Sequence, residues 1–113
     1  MKVKIFAEFN RVAEVITGYY MKESIIEKSQ PTSDTLFIVV EKYFFRNSSR
    51  ASLSVVLVDK GVYTEATVVG SGGGQGLFFK FDWGASGSFM KDIYLALNKE
   101  EIKYEEVNTY KEL

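Results

Sequence analysis

The sequence predicts an α+β fold, a two-layer sandwich in which a mostly antiparallel sheet carries two helices on one face. The chain has 113 residues, which is the size of one domain. Several short segments place apolar residues at every second position, as strands do, and two other segments repeat them with the helical period. In chain order these segments predict the elements β-α-β-β-β-β-β-α.

The first two predicted elements are a strand and a helix. Apolar residues alternate with other residues along the strand, at Val3, Ile5, Ala7 and Phe9. Asn10 is placed to cap a helix that is predicted from about residue 11 to about residue 21. The apolar stripe of this helix consists of Val12, Val15, Ile16, Tyr19 and Tyr20. Gly18 lies off the stripe and weakens the helix by ~1 kcal/mol relative to alanine.

The middle of the chain is predicted to form strands. Residues 24–29 are interpreted as a short strand, with the end of the first helix as the alternative, and Pro31 stops either one. Residues 36–44 are β-branched and aromatic, as expected of a central strand. Residues 53–57 and 62–68 alternate on either side of Asp59-Lys60-Gly61, which predicts an antiparallel hairpin.

The last predicted strand and helix follow a glycine-rich segment. The strand is predicted from the alternation of Leu77, Phe79, Phe81 and Trp83. The helix is predicted from Ser86 or Ser88 to Leu97, with Asn98 as its C-cap, and the order of elements loosely suggests a helix-grip fold. Residues 1–98 then form a single domain, followed by a charged tail, 99–113, whose conformation the pattern leaves open. Because the tail has few apolar residues, we expect that removing residues 101–113 leaves a folded domain.

The composition excludes several kinds of site. With 14 basic and 15 acidic residues, the chain lacks the positive field that attracts nucleic acids and anionic membranes. It has neither cysteine nor histidine, which removes thiolate chemistry, the commonest metal ligand and the commonest general base. No segment resembles a signal peptide or approaches the ~20 apolar residues of a membrane-spanning helix. We therefore expect a cytoplasmic domain without a metal, a cofactor, or a nucleic-acid or membrane partner.

The most unusual segment, residues 70–76, is rich in glycine. Successive glycines can turn their N–H groups toward one anion, so Gly72, Gly73, Gly74 and Gln75 are candidate ligand-binding residues. The next predicted strand adds further candidates, because Lys80 and Asp82 share one face and Trp83 follows them. A flexible connection between strands and ordinary solvated charges are the alternatives.

Glu41 and Arg50 form a second candidate feature. Glu41 interrupts the apolar strand 36–44, and Arg46 and Arg50 lie just beyond the end of that strand. A carboxylate placed there is expected to pair with a cation across the sheet or at its edge. The pair is a candidate for ligand binding, with a purely structural ion pair as the alternative.

Three stretches of the chain are distinctive as sequence. They are Glu41-Lys42-Tyr43-Phe44, Arg50-Ala51-Ser52-Leu53-Ser54-Val55 and Gly72-Gly73-Gly74-Gln75-Gly76-Leu77-Phe78-Phe79-Lys80, followed by Trp83-Gly84 and Phe89. Together they resemble a small bacterial family of unknown function, over about residues 2–98. The resemblance implies a stand-alone bacterial cytoplasmic domain and supplies no catalytic residue.

These observations favour a non-enzymatic module that binds a small polar or anionic ligand or a protein, with a homo-oligomer as one form of the interaction. The glycine-rich segment, Lys80 and Arg50 would line its site. One alternative is a small enzyme with Glu41 or Asp82 as acid or base and backbone N–H groups that stabilise negative charge. The other alternative is a purely structural or assembly protein.

Overall fold

The computed structural model describes residues 2–20, 24–44, 49–72 and 86–107. In chain order, these residues form a strand and a helix, then four strands, and then a helix and a short strand. Their bounds are β1 Lys2–Ile5, α1 Phe9–Tyr20, β2 Ser24–Thr32, β3 Thr35–Phe44, β4 Ser49–Asp59, β5 Thr64–Gly72, α2 Ser86–Lys99 and β6 Tyr104–Val107. The strand predicted from the alternation at Leu77 to Trp83 lies outside the described residues.

The strands form one six-stranded sheet in the order β2-β3-β4-β5-β1-β6. Every neighbouring pair in this sheet is antiparallel. β2 to β5 lie side by side in chain order, and β1 then inserts between β5 and β6. The predicted α+β class with a mostly antiparallel sheet is therefore confirmed.

One face of the sheet is buried beneath the helices. The alternation of the sequence continues in the structure, since the buried residues of these strands are every second residue within 3–5, 36–40, 51–57 and 64–68. The helices add their own apolar stripes to this core, and α1 contacts β3 and β4. The fully buried side chains of the core include Val3, Ile5, Val12, Ile16, Tyr20, Ile38, Val40, Leu53, Val55, Leu57, Ile93 and Leu97.

The hairpin predicted around Asp59-Lys60-Gly61 is confirmed by the pairing of β4 with β5. The Asp59 carboxylate accepts a hydrogen bond of 2.9 Å from the Gly61 N–H. Gly61 has a φ of 90°, a conformation that glycine adopts without steric cost. β5 continues to Gly72, opposite Ala51, so the strand extends into the segment that its glycines predicted to be a loop.

The start of α1 differs from the prediction. The alternation predicted a strand through Phe9, whereas β1 ends at Ile5 and the helix begins at Phe9. Phe9 is 7% exposed and belongs to the core, because the period of a strand and the period of a helix coincide at this position. The buried Thr64 hydroxyl donates a 3.0 Å hydrogen bond to the Ala7 carbonyl, which holds the turn between the two elements.

The end of α2 also differs from the prediction. Asn98 was the predicted C-cap, but the chain turns at Glu101, which has a φ of 59°. The N–H groups of Ile102 and Glu101 bond to the carbonyls of Leu97 and Asn98, at 2.9 and 3.0 Å. This is the Schellman arrangement, in which the apolar residue after the left-handed position packs back on the last turn. Ile102 and Leu97 both lie in the core.

The charged tail contributes to the fold within the described residues. Tyr104–Val107 forms β6 on the outer side of β1, and Ile102 is only 6% exposed. The Tyr104 ring stacks on that of Tyr94 in α2, with centroids 4.6 Å apart, and the Tyr94 hydroxyl donates to the Glu106 carboxylate. Burial, together with this hydrogen bond, raises the pKa of Tyr94 above its ordinary value. The tail thus supplies an edge strand and a core residue that its charge and loose apolar spacing did not predict.

Neither of the helices in the described segments has both the length and the apolar character that crossing a membrane requires.

Candidate functional site

A depression in the surface lies between α1 and α2. It has a volume of about 560 Å³. We call it the helix groove. Its lining residues are Arg11, Glu14, Val15, Gly18 and Tyr19 from α1 and Ala96, Lys99 and Glu100 from the end of α2.

The helix groove lies between two helices that run antiparallel, as two contacts between them show. The contact of Arg11 with Glu100 joins the start of α1 to the end of α2. Nearer the other ends, Tyr19 of α1 contacts Asp92 in the middle of α2. The inward faces of both helices are filled by buried apolar residues, so the helices meet at their base and leave the space above it open.

An ion pair stands at one end of the helix groove. Arg11 Nη2 lies 3.5 Å from Glu100 Oε1 and at the same distance from the Glu100 carbonyl oxygen. The two side chains are about half exposed, at 50% and 44%. Exposed pairs of this kind contribute ~0.2 to 1 kcal/mol to stability. The pair therefore matters more for the charge of the groove than for the stability of the fold.

An aromatic side chain stands at the other end. The Tyr19 hydroxyl donates to Asp92 Oδ1 at 3.2 Å, and Asp92 is only 9% exposed. The ring of Tyr19 also packs edge-to-face on that of Tyr20, with centroids 5.3 Å apart at an interplanar angle of 88°. Because hydroxyl and ring are both held, Tyr19 presents a fixed aromatic surface to the groove.

Gly18 forms part of the α1 wall. It lies within the helix and is exposed, and apart from its two chain neighbours and the backbone of its own helix, no described heavy atom lies within 4 Å of the position that a Cβ would occupy. Glycine inside a helix costs ~1 kcal/mol relative to alanine. No neighbour in the described part of the chain needs the space that this glycine leaves.

Two further charges line the helix groove from opposite helices, Glu14 on α1 and Lys99 on α2. Both residues are exposed. Neither takes part in the ion pairs found among the described residues. One negative and one positive side chain thus remain available to an occupant of the groove.

The charge pair predicted between Glu41 and Arg50 is present at one end of the sheet. Arg50 Nη1 donates to Glu41 Oε1 at 2.9 Å, from β4 to β3. Gly72 is close to this pair in the sheet, because it lies opposite Ala51, the residue after Arg50. Three of the predicted site residues, Glu41, Arg50 and Gly72, therefore come together at the same end of the sheet.

The remaining predicted site residues are outside the described residues, namely Gly73, Gly74, Gln75, Lys80, Asp82 and Trp83. Whether they form an anion-binding loop stays a prediction. Among the residues that are described, no three aspartate or glutamate side chains are grouped closely enough to hold a metal ion.

The helix groove was not predicted from the sequence. One signal for it was visible, since Gly18 interrupts an otherwise regular amphipathic helix at a position off the apolar stripe. The partner wall comes from α2, some 80 residues later in the chain. Only the packing of the two helices brings these walls together.

Comparison with known proteins identifies a family but no activity. No curated protein and no solved structure matches the chain. The helix-grip analogy therefore gains no support from a relative of known structure. A family model described as "Family of unknown function (DUF6054)" matches residues 2–101, which include all of the described elements up to the turn after α2. The chain belongs to this family of unknown function, as the resemblance of its distinctive stretches implied.

Proposed function

We propose that the chain is a non-enzymatic binding domain and that the helix groove is its binding site. The single observation that carries the proposal is Gly18, a glycine inside a helix whose missing side chain leaves space that nothing described in the chain fills. The groove, its charges and its aromatic wall support the same conclusion.

The dimensions of the groove suit a small ligand. Pockets that bind small molecules have volumes of ~300 to 1,000 Å³ and combine apolar walls with a few polar groups. The helix groove, at about 560 Å³, lies within that range. Val15, Tyr19 and Ala96 supply apolar surface, and four charged side chains surround them.

Gly18 supports an external occupant. A glycine is required inside a helix where the backbone turns, where φ is positive, or where another group approaches closely. Gly18 is in regular helix and has no positive φ. No group from another described part of the chain lies within 4 Å of the position that a Cβ would occupy, so no such group makes a close approach there. A ligand or partner seated in the groove provides the close approach that accounts for the glycine.

The chemistry of the lining favours binding over catalysis. The described lining residues include no serine, cysteine or histidine, and the Tyr19 hydroxyl is engaged by Asp92. Glu41, one of the two carboxylates considered as an acid or base, accepts a hydrogen bond from Arg50 and lies on the sheet rather than in the groove. A site of this kind holds a ligand through shape and charge and lacks an arranged nucleophile and base.

A fragment screen by two-dimensional NMR tests the proposal. We expect weakly binding fragments to shift the backbone amide signals of Val15, Gly18 and Ala96. In Gly18→Trp the indole fills the groove and these responses are lost, whereas Val62→Trp, at a loop position that is 87% exposed, retains them. Fragments that cluster instead at Arg50 and Gly72 would contradict the assignment of the groove and favour the sheet end.

A further inference from the structure

We infer that the helix groove takes a small zwitterion of the amino-acid type, with the carboxylate of the ligand at Lys99, its ammonium group at Glu14 and its apolar side chain against Tyr19. This inference rests on the proposed function, because it assumes that the groove is the binding site. It adds the chemical class of the ligand.

The charges of the groove select a ligand without net charge. Two cations and two carboxylates line it, so they cancel. Arg11 and Glu100 already neutralise each other at 3.5 Å. A ligand therefore meets one available negative side chain, Glu14, and one available positive side chain, Lys99. A zwitterion satisfies both at once, whereas a simple anion or cation satisfies only one.

The two available charges come from opposite walls. Glu14 lies one helical turn beyond Arg11 on α1, and Lys99 lies immediately before Glu100, the residue that Arg11 contacts. The charges thus lie near the same level of the groove, on different helices, and form no direct ion pair with each other. A ligand whose ammonium and carboxylate groups are close together can bridge Glu14 and Lys99. The α-amino and α-carboxylate groups of an amino acid are such a pair.

The remaining part of the groove accommodates an apolar side chain. Val15 and Tyr19 are one turn apart on α1 and face the groove together, and both are half-buried. Ala96, on the opposite wall, is too small to close the space between the helices. The Tyr19 ring is held by its bond to Asp92, so it is oriented before a ligand arrives.

A phosphate-like anion fits the groove less well. It would gain Arg11 and Lys99 but would also lie beside Glu14 and Glu100, and like charges at close range oppose binding. To use Arg11 it would also have to break the ion pair with Glu100. The arrangement therefore disfavours inorganic phosphate, nucleotides and anionic headgroups.

The inference is tested at pH 6 and low salt with three probes that share the leucine side chain and differ in their charged groups. Leucine is the zwitterion, N-acetylleucine carries only the carboxylate, and leucinamide carries only the ammonium group. Dissociation constants are measured from the amide shifts of Val15, Gly18 and Ala96. We expect leucine to bind about fivefold more tightly than either singly charged probe, which corresponds to one partly exposed ion pair.

Two variants assign each charge to its partner. In Glu14→Gln leucine should lose its advantage over N-acetylleucine, whose own binding should not weaken because it has no ammonium group for Glu14 to hold. In Lys99→Gln leucine should fall to the affinity of leucinamide. The matched controls are Glu27→Gln and Lys103→Gln, which remove exposed charges outside the groove and should leave all three affinities unchanged.

The outcomes separate this inference from the proposed function. Equal binding of leucine and N-acetylleucine in the groove would disprove the zwitterion and leave the groove as a binding site. Failure of all three probes to shift the groove signals, when other fragments do shift them, would have the same meaning. If neither the three probes nor the fragments shift the groove signals, the proposed function is disproved as well.

Discussion

The inward faces of α1 and α2 and the faces that they turn toward each other are built from different residues. Inward, Val12, Ile16, Ile93 and Leu97 are fully buried and form one core with the sheet. Toward the groove, Arg11, Gly18 and Lys99 are exposed and surround open space. The comparison shows that the stability of the helix layer and its capacity to bind depend on separate sets of side chains. Substitutions should therefore separate the two properties.

The largest expected effect concerns the last inward contact, made by Ile102 beyond the end of α2. Truncation after Glu101 removes this core residue, the Schellman hydrogen bond of its N–H and strand β6. We expect a loss greater than the ~2 to 5 kcal/mol of a single buried Ile→Ala, measured by urea denaturation. Truncation after Val107 is the control, because it keeps Ile102 and β6. Equal stability of the two truncated chains would show that Ile102 and β6 do not belong to the core.

A smaller effect is expected from neighbouring residues on the two faces of α1. Ile16 is fully buried, so Ile16→Ala should lower the free energy of unfolding by ~2 to 5 kcal/mol. Val15 is only half-buried in the groove wall, and Val15→Ala should cost less than ~1 kcal/mol. The affinity for a ligand in the groove should fall more in Val15→Ala than in Ile16→Ala. The comparison between the faces fails if both variants lose the same stability in urea denaturation.

The smallest expected effect has the opposite sign. Gly18→Ala adds a methyl group that meets nothing within 4 Å and improves the helix propensity. We expect a gain of ~0.4 to 1 kcal/mol in the free energy of unfolding, visible as a higher Tm. The same variant should weaken binding in the groove, because the methyl group occupies its wall. A loss of stability would indicate a close contact at Gly18 within the chain and would remove the main support for an external occupant.

Local sequence patterns were sufficient to predict an element where one of its faces is buried in the core. The alternation along β4 and β5 predicted their hairpin, because a strand with one buried face must repeat every second residue. The spacing of Val12, Ile16 and Tyr20 predicted α1, because a helix with one buried face repeats its apolar residues every three or four positions. The patterns were less informative at the start of α1, because Phe9 satisfies both periods.

Long-range pairing decided the features that local patterns missed. β6 contains two adjacent glutamates and has no alternation that predicts a strand, but its backbone pairs with β1, about 100 residues earlier in the chain. A charge pair of Glu41 with a nearby arginine was predictable, because Glu41 and Arg50 are only nine positions apart in the chain. The helix groove was not, since its walls come from helices at opposite ends of the chain.

The sequence by itself determined the fold class, the buried face of the central strands and the absence of histidine and cysteine chemistry. These properties depend on residue type and on periods of two or 3.6 residues, which every short segment carries in itself. The tertiary structure alone decided that the start of α1 meets the end of α2, that Ile102 enters the core and that Gly18 borders an open groove. Those outcomes depend on how separate elements pack around a common core, and no single segment contains that information.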